Sequence, residues 1–156
     1  MALLGDISVI DTMIGFKDAD SGHYVPPSVR QEDNGEQHVA DYMFTGVPAA
    51  EDQVGAVQRT LDAMEANGVG MGLVALMGTH ALNAVRNYPD RFLLCSHIDP
   101  TDVMEAVNTI HSEHKEHATR AVSVFPAGNF PQVPINNAKM YPIYAACVDL
   151  DLPIFI

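Results

Sequence analysis

Apolar positions along the chain follow two alternating periodicities. The stretch "ISVIDTMIGF" carries a short apolar run, Ile7 to Met13, that predicts a strand leaving at Gly15. From Glu51 to Asn67 the pattern changes. Val54, Val57, Leu61 and Met64 recur at the spacing of one helix face, and Asn67-Gly68 supplies a stop signal. Strand-length runs then alternate with helical stretches. Gly70 to Met77 predicts a strand and Thr79 to Asn87 a short helix that ends before Pro89. Phe92 to His97 predicts a strand. Thr101 to His117 predicts a helix with Val103, Val107 and Ile110 on one stripe, capped by Thr101 or Asp99. Ala121 to Phe125 predicts a strand closed by Pro126, Ala138 to Leu150 a helix entered through Tyr141-Pro142, and Leu152 to Ile156 a buried strand paired on at least one side.

The interval from Lys17 to Ala50 breaks this rhythm. It is polar, holds Pro26-Pro27 and an acidic patch from Gln31 to Glu36, and predicts a long excursion loop with a short helix near Val39 to Phe44. Loops of that length in a compact domain are commonly functional, which makes 17–50 a candidate lid.

Continuous apolar strands separated by helices fit parallel strands covered by crossover helices. The expected class is α/β, built from parallel (β/α) units in a single domain over residues 1–156. Five strands and four helices amount to about the first half of a (β/α)8 barrel. The chain stops at Leu-Pro-Ile-Phe-Ile, inside what should be a central strand, so the barrel is expected to be incomplete at this end.

Composition narrows the function classes. The apolar fraction of 47% supports a folded core. The formal net charge of -12 argues against nucleic acid or an anionic membrane as partner. Cys95 and Cys147 lie in apolar runs and read as buried thiols of an intracellular protein. "MALLGD" lacks a basic leader region, and no apolar run reaches spanning length. A cytoplasmic protein is expected.

Three segments carry a family resemblance: "VIDTMIGF", "NYPDRFLLCSHIDPTDVMEAV" and "AVSVFPAGNFPQVPINNAKMYPIYAACVDLDLPIFI". In order and spacing they resemble the amidohydrolase-related metal-dependent hydrolases, (β/α)8 barrels that include decarboxylases of the aminocarboxymuconate-semialdehyde type. The family's metal site opens with Asp-x-His-x-His at the end of the first strand. Asp11 matches the aspartate, Met13 stands at the first histidine position and Gly15 at the second. The family's remaining ligands come from the fifth strand onward. Strand alternation puts Asp11, Met13 and Gly15 on one face. In the resembled barrel that face points inward, with Asp11 one layer below the site floor as a hydrogen-bonded acceptor or an acid/base group.

Seven histidines are separable by topology, because a (β/α)8 barrel reacts at the C-terminal ends of its strands. His97 closes the third strand and is the best-placed metal ligand or acid/base group, since imidazole suits zinc and iron. His80 follows the second strand on the same face. Asn129 and Phe130 follow the fourth and, with His80 and Met13, are candidate substrate contacts. His23 and His38 sit in the long loop. His111, His114 and His117 in "HSEHKEH" fall at a helix C-terminus on the opposite face and read as a dispensable, solvated group favoured by the helix dipole. Tyr141 and Tyr144 read as packing residues. The chain shows no phosphate-binding glycine loop and no nucleophile-elbow sequence.

The leading reading is a metal-dependent hydrolase or carbon–carbon lyase acting on a small organic acid or amide, using a divalent zinc or iron ion. Two other readings keep the barrel: a non-heme iron oxygenase with a rebuilt metal site, and a non-catalytic half-barrel subunit. The expected partners are a small-molecule substrate and either further copies of the chain or a complementing second half.

Overall fold

The computed structural model describes residues 9–16, 55–126, 129 and 131–156. The expected excursion loop, its short helix, His23 and His38 fall outside these residues. The elements in order are β1 (Val9–Ile14), α1 (Ala56–Ala66), β2 (Val69–Ala75), α2 (Thr79–Asn87), β3 (Phe92–Ile98), α3 (Val103–His117), β4 (Ala121–Val124), α4 (Met140–Asp149) and β5 (Ile154–Phe155). The strands form one parallel sheet in the order β1-β2-β3-β4-β5, each paired with its sequence neighbour. This is a curled half-barrel of (β/α) units. Among the described residues no helix is long and apolar enough to cross a membrane.

The two faces of the sheet differ. On the outer face, alternate strand residues pack under the helices. Phe92, Leu94 and Val74 meet Leu61 and Met64 of α1 and Ala81 and Ala84 of α2. Ile98, Val122 and Val124 meet Ala106 and Ile110 of α3 and Met140, Ile143 and Cys147 of α4. The intervening residues Leu73, Cys95 and Ala121, with Leu93 against them, form a small separate cluster on the inner face.

Phe92 anchors the N-terminal cluster. It is fully buried, with Phe16 at 5.8 Å and Tyr88 at 6.5 Å in edge-to-face contact. Arg91 beside it donates from Nε to the Gly70 carbonyl at 3.0 Å and from Nη2 to the Val69 carbonyl at 3.2 Å. The "YPDRF" segment therefore ties α2, the start of β2 and the outer core together. Gly72 in β2 is a consequence of that packing. A Cβ there would run into Ile14 Cδ1 and lie 3.2 Å from Phe92 Cδ1.

Helix ends follow local chemistry. Asn67 and a left-handed Gly68 (φ 68°) close α1 as the Asn-Gly signal predicts. The cap of α3 is neither Thr101 nor Asp99. Asp102 Oδ1 accepts from the Glu105 N–H at 3.1 Å, while Asp99 Oδ1 is spent on the Thr101 N–H at 2.8 Å and Thr101 Oγ1 at 2.7 Å, closing the turn before the helix. α4 starts at Met140 rather than Ala138, which keeps Pro142 in the first turn, where its missing N–H costs no helical bond.

The edges depart from expectation. Asp11 is exposed, and β1 is the edge strand of the sheet among the described residues. Its Oδ1 accepts from the N–H of Met13 at 2.9 Å, and Met13 is 91% exposed. Three steps of β1 from Asp11 to Ile14 span only two of β2, from Gly72 to Val74. That slip breaks the strict alternation expected from Asp11 through Gly15. At the far edge, β5 is paired as expected but not buried. Leu152 is covered, whereas Ile156 is 58% exposed.

Behind the sheet, Ser96 is fully buried and 3.2 Å from Thr119 Oγ1. Glu113 of α3 approaches the same place. Its Oε2 is buried without a hydrogen-bond partner, and burial pushes its carboxyl above the usual range, against the pull of Ser96 and the His117 charge. The "HSEHKEH" histidines are not equivalent. His111 and His117 are exposed, but His114 is half-buried with Nδ1 2.9 Å from the Thr119 carbonyl oxygen. The reading of all three as solvated is corrected at His114. Its ring ties the last turn of α3 to the segment entering β4, around the left-handed Ala118 (φ 54°).

Three outcomes are expected. Gly72→Ala should destabilise the fold by about 1–3 kcal/mol through overpacking, and adding Ile14→Val, which removes the colliding methyl, should recover part of the loss in urea unfolding. Glu113 has a raised pKa in the folded state, so its favourable contribution is present below its unfolded pKa and is lost as pH rises through the folded one. Glu113→Gln should therefore leave stability unchanged in acid and raise it at neutral pH, by less than about 1 kcal/mol after solvent screening. His114→Ala should cost about 1 kcal/mol, the scale of one hydrogen bond, whereas His111→Gln should stay within about 0.5 kcal/mol.

Candidate functional site

The C-terminal half of β3 puts Cys95 and His97 on the inner face, because Phe92, Leu94 and Ile98 are taken by the outer core. On β4 the same parity puts Ser123 inward, between outward-facing Val122 and Val124. Parallel pairing sets His97 opposite Ser123 and Cys95 opposite Ala121. His97 Nδ1 lies 3.0 Å from Ser123 Oγ. Cys95 Sγ donates to the Ser96 carbonyl at 3.5 Å.

Burial sets the charge states. It pushes the Cys95 thiol up to about 11, with Ser123 opposing the shift and Glu113 reinforcing it. It pushes His97 below the usual imidazole range, while the Asp99 carboxylate pulls it back. Cys95 is therefore a neutral thiol at neutral pH, and His97 favours its neutral form. A neutral imidazole can accept a proton, bind a metal through one nitrogen or donate a hydrogen bond.

The other candidates are spread out. Asn129 is buried just beyond β4, on the strand-end side. His80 is the second residue of α2 and half-buried. Asp11 pairs with Gly72, which in turn pairs with Phe92, so it lies level with the opposite end of β3 from His97. Asp11 and Met13 are thus not gathered with His97. Phe130 lies outside the described residues. Of the two tyrosines read as packing, Tyr144 donates to the Ile135 carbonyl at 2.7 Å, whereas Tyr141 is 61% exposed.

Among the described residues, no three His, Cys, Asp or Glu side chains come together as a metal cluster. His97 is a single imidazole flanked by a hydroxyl and a thiol. By themselves, the described residues do not fit a divalent metal.

Two features were not read from the sequence. Ser123 was legible only through the register that pairs it with His97. The second is an apolar groove of about 280 Å³ at the ends of β4 and β5, lined by Phe125, Pro126, Val133, Pro134, Ile135 and Ile156. Its lining comes from a proline-rich loop with no regular period, so pattern reading gave no warning of it.

No protein-family model and no curated protein sequence matches the chain. Solved structures do match. A 5-carboxyvanillate decarboxylase from Novosphingobium aromaticivorans, with bound manganese and 3-methoxy-4-hydroxy-5-nitrobenzoic acid, aligns with a TM-score of 0.65 at 17% identity, covering 98% of this chain and 51% of that one. An uncharacterized TIM-barrel protein from Bordetella bronchiseptica aligns at 0.61 and 16% identity, covering 95% and 54%. A 2,6-dihydroxybenzoate decarboxylase in complex with 2,6-dihydroxybenzoate aligns at 0.52 and 16% identity, covering 76% and 46%. The chain spans about half the length of the solved structures it matches. The chain therefore has the fold of half a (β/α)8 barrel, the fold of the amidohydrolase-related barrels that its sequence resembles.

Proposed function

We propose that this chain forms one wall of a metal-dependent barrel enzyme that decarboxylates or hydrolyses a small organic acid. The observation that carries this reading is His97. It stands at the C-terminal end of a parallel barrel strand, on the inner face, favouring its neutral form and held by a neighbouring hydroxyl. Strand ends of this kind are where (β/α)8 barrels place reacting groups. Two of the matched structures are decarboxylases crystallised with aromatic acids, and one of these holds manganese. They favour an aromatic carboxylic acid as substrate and a divalent ion such as manganese, in place of the zinc or iron expected from the sequence.

His97 would hold or move a proton at the substrate, or supply one imidazole to the ion. The described residues offer no complete ligand set, so the other ligands would come from elsewhere. A bound divalent ion would polarise the substrate's oxygens. Asn129, Phe130 and His80 are the candidate contacts around the substrate, and Asp11 serves the scaffold at the β1 edge. Val9, Ile10 and Met13 on β1, and Phe155 and Ile156 at β5, are exposed apolar edge residues. In the working enzyme they would pair with further barrel strands. A cytoplasmic setting suits two free, buried thiols.

The test is turnover of a panel of hydroxybenzoic acids and small cyclic amides, with manganese, zinc or iron added and then chelated. Decarboxylation or hydrolysis that depends on the ion is expected. His97→Ala should lower kcat/KM at least tenfold, about 1.4 kcal/mol in the barrier. Full activity in His97→Ala, or activity indifferent to chelation, would overturn the reading.

A further inference from the structure

The groove at the ends of β4 and β5 has walls that say what it can hold. Phe125, Ile135 and Ile156 stand in it 63%, 59% and 58% exposed, beside buried Val133. Single exposed apolar residues are ordinary, but several gathered around a concavity mark a binding surface. Among the described residues, the lining holds no ionisable side chain. The walls are also built before any ligand arrives. The Val133 N–H donates to the Pro126 carbonyl at 3.3 Å and closes the loop on itself. The Asn137 N–H donates to the Pro134 carbonyl at 2.8 Å, and the Tyr144 hydroxyl donates to the Ile135 carbonyl at 2.7 Å, which ties the wall to α4. Pro126 and Pro134 fix φ in the same stretch. A preformed site loses little affinity to ordering itself.

Register relates the groove to His97. His97 pairs with Ser123, and Ser123 pairs with Phe155. Ile156 is therefore one residue beyond that row and Phe125 two beyond, about 3 and 7 Å at the usual rise of a strand. A one-ring acid is long enough to reach from one to the other. Apolar walls cannot hold its carboxylate, because an ion there loses its water and gains no partner. The acid end must lie on the strand side, where Ser123 Oγ and the His97 ring are. We propose that this groove is the ring subsite of the substrate: it takes the ring of an aromatic carboxylic acid against Phe125 and turns the carboxylate toward the row of His97 and Ser123. This subsite rests on the reading of the strand ends as the reacting face. Phe125 and Ile135 are then specificity-determining residues, since a small aliphatic acid gains nothing from the groove.

The experiment is a titration of the ¹⁵N-labelled chain with benzoate and, separately, with acetate, followed through the amide shifts. Benzoate should saturate, moving the amides of Phe125, Val133 and Ile135 together with those of His97 and Ser123. Acetate should bind roughly tenfold or more weakly, for want of an apolar ring to bury, and leave the loop amides unmoved. Phe125→Ala and Ile135→Ala should each weaken benzoate roughly fivefold or more, with acetate unchanged. Val148→Ala, at an exposed apolar position on α4, should change neither. Benzoate that moves no loop amide, or that binds both variants as it binds the parent, overturns the proposal. So do loop shifts that appear on concentrating the protein without benzoate, since the groove then holds a second copy of the chain. If Phe125→Ala does not fold, Ile135→Ala decides alone. Benzoate seated in the groove of a protein inactive on the acid panel would sink only the proposed activity and leave an aromatic-acid site. An active protein whose Phe125→Ala form keeps the parent's KM for hydroxybenzoic acids would sink only the subsite.

Discussion

The ring of Phe92 is the joint on which the N-terminal part of the sheet depends. It must sit under β1, β2 and α2 at once, and close packing leaves no spare volume around it. That requirement removes the side chain at residue 72, brings Phe16 and Tyr88 edge-on to the ring, and places Arg91 where it can hold two carbonyls at the start of β2. The register of β2 on β3 follows, and with it the parity that sends Phe92 and Leu94 outward and Cys95 and His97 inward.

The inner face inherits its chemistry from that parity. The outer face takes the large side chains, because helices cover it. The inner one is left with Leu73, Cys95 and Ala121, and above them His97 and Ser123. Small inner residues let strand-end side chains come within hydrogen-bonding distance of one another. Partial burial then does the electrostatic work. Taking charge out of water is costly, so both the thiol and the imidazole move toward their neutral forms.

Much of the fold was legible because it is written in local patterns. The 79–87 helix ends where Pro89 requires, and Asn67-Gly68 closes α1 by its left-handed turn. The segments that carry the family resemblance are mostly scaffold. "YPDRF" is a packing and clamping device, and "YPIYAACVDL" is the covering helix α4. That is why the fold could be read while the chemistry could not. An aspartate inside an apolar run reads as a buried acceptor, but Asp11 lies on an exposed edge strand whose alternation slips. The α3 cap moved to Asp102 because Asp99 was already committed to Thr101, a competition the sequence does not rank. Ser123 carried no signal of its own, since a serine in a short apolar strand is ordinary until a neighbour's register gives it a histidine.

The unbroken strand order has a consequence for how the chain reaches this state. Among the described residues every strand pairs with the strands next to it in sequence, and the helices pack on the outer face of the strands they connect. From β2 to β5 the contacts therefore close over short stretches of chain, whereas the β1–β2 pairing bridges the longer interval from Ile14 to Val69. The two outer clusters lie on either side of β3, which contributes Phe92 and Leu94 to one and Ile98 to the other. Assembly can thus proceed in chain order during synthesis, one strand–helix unit upon the last, with β3 carrying order from the first nucleus to the second.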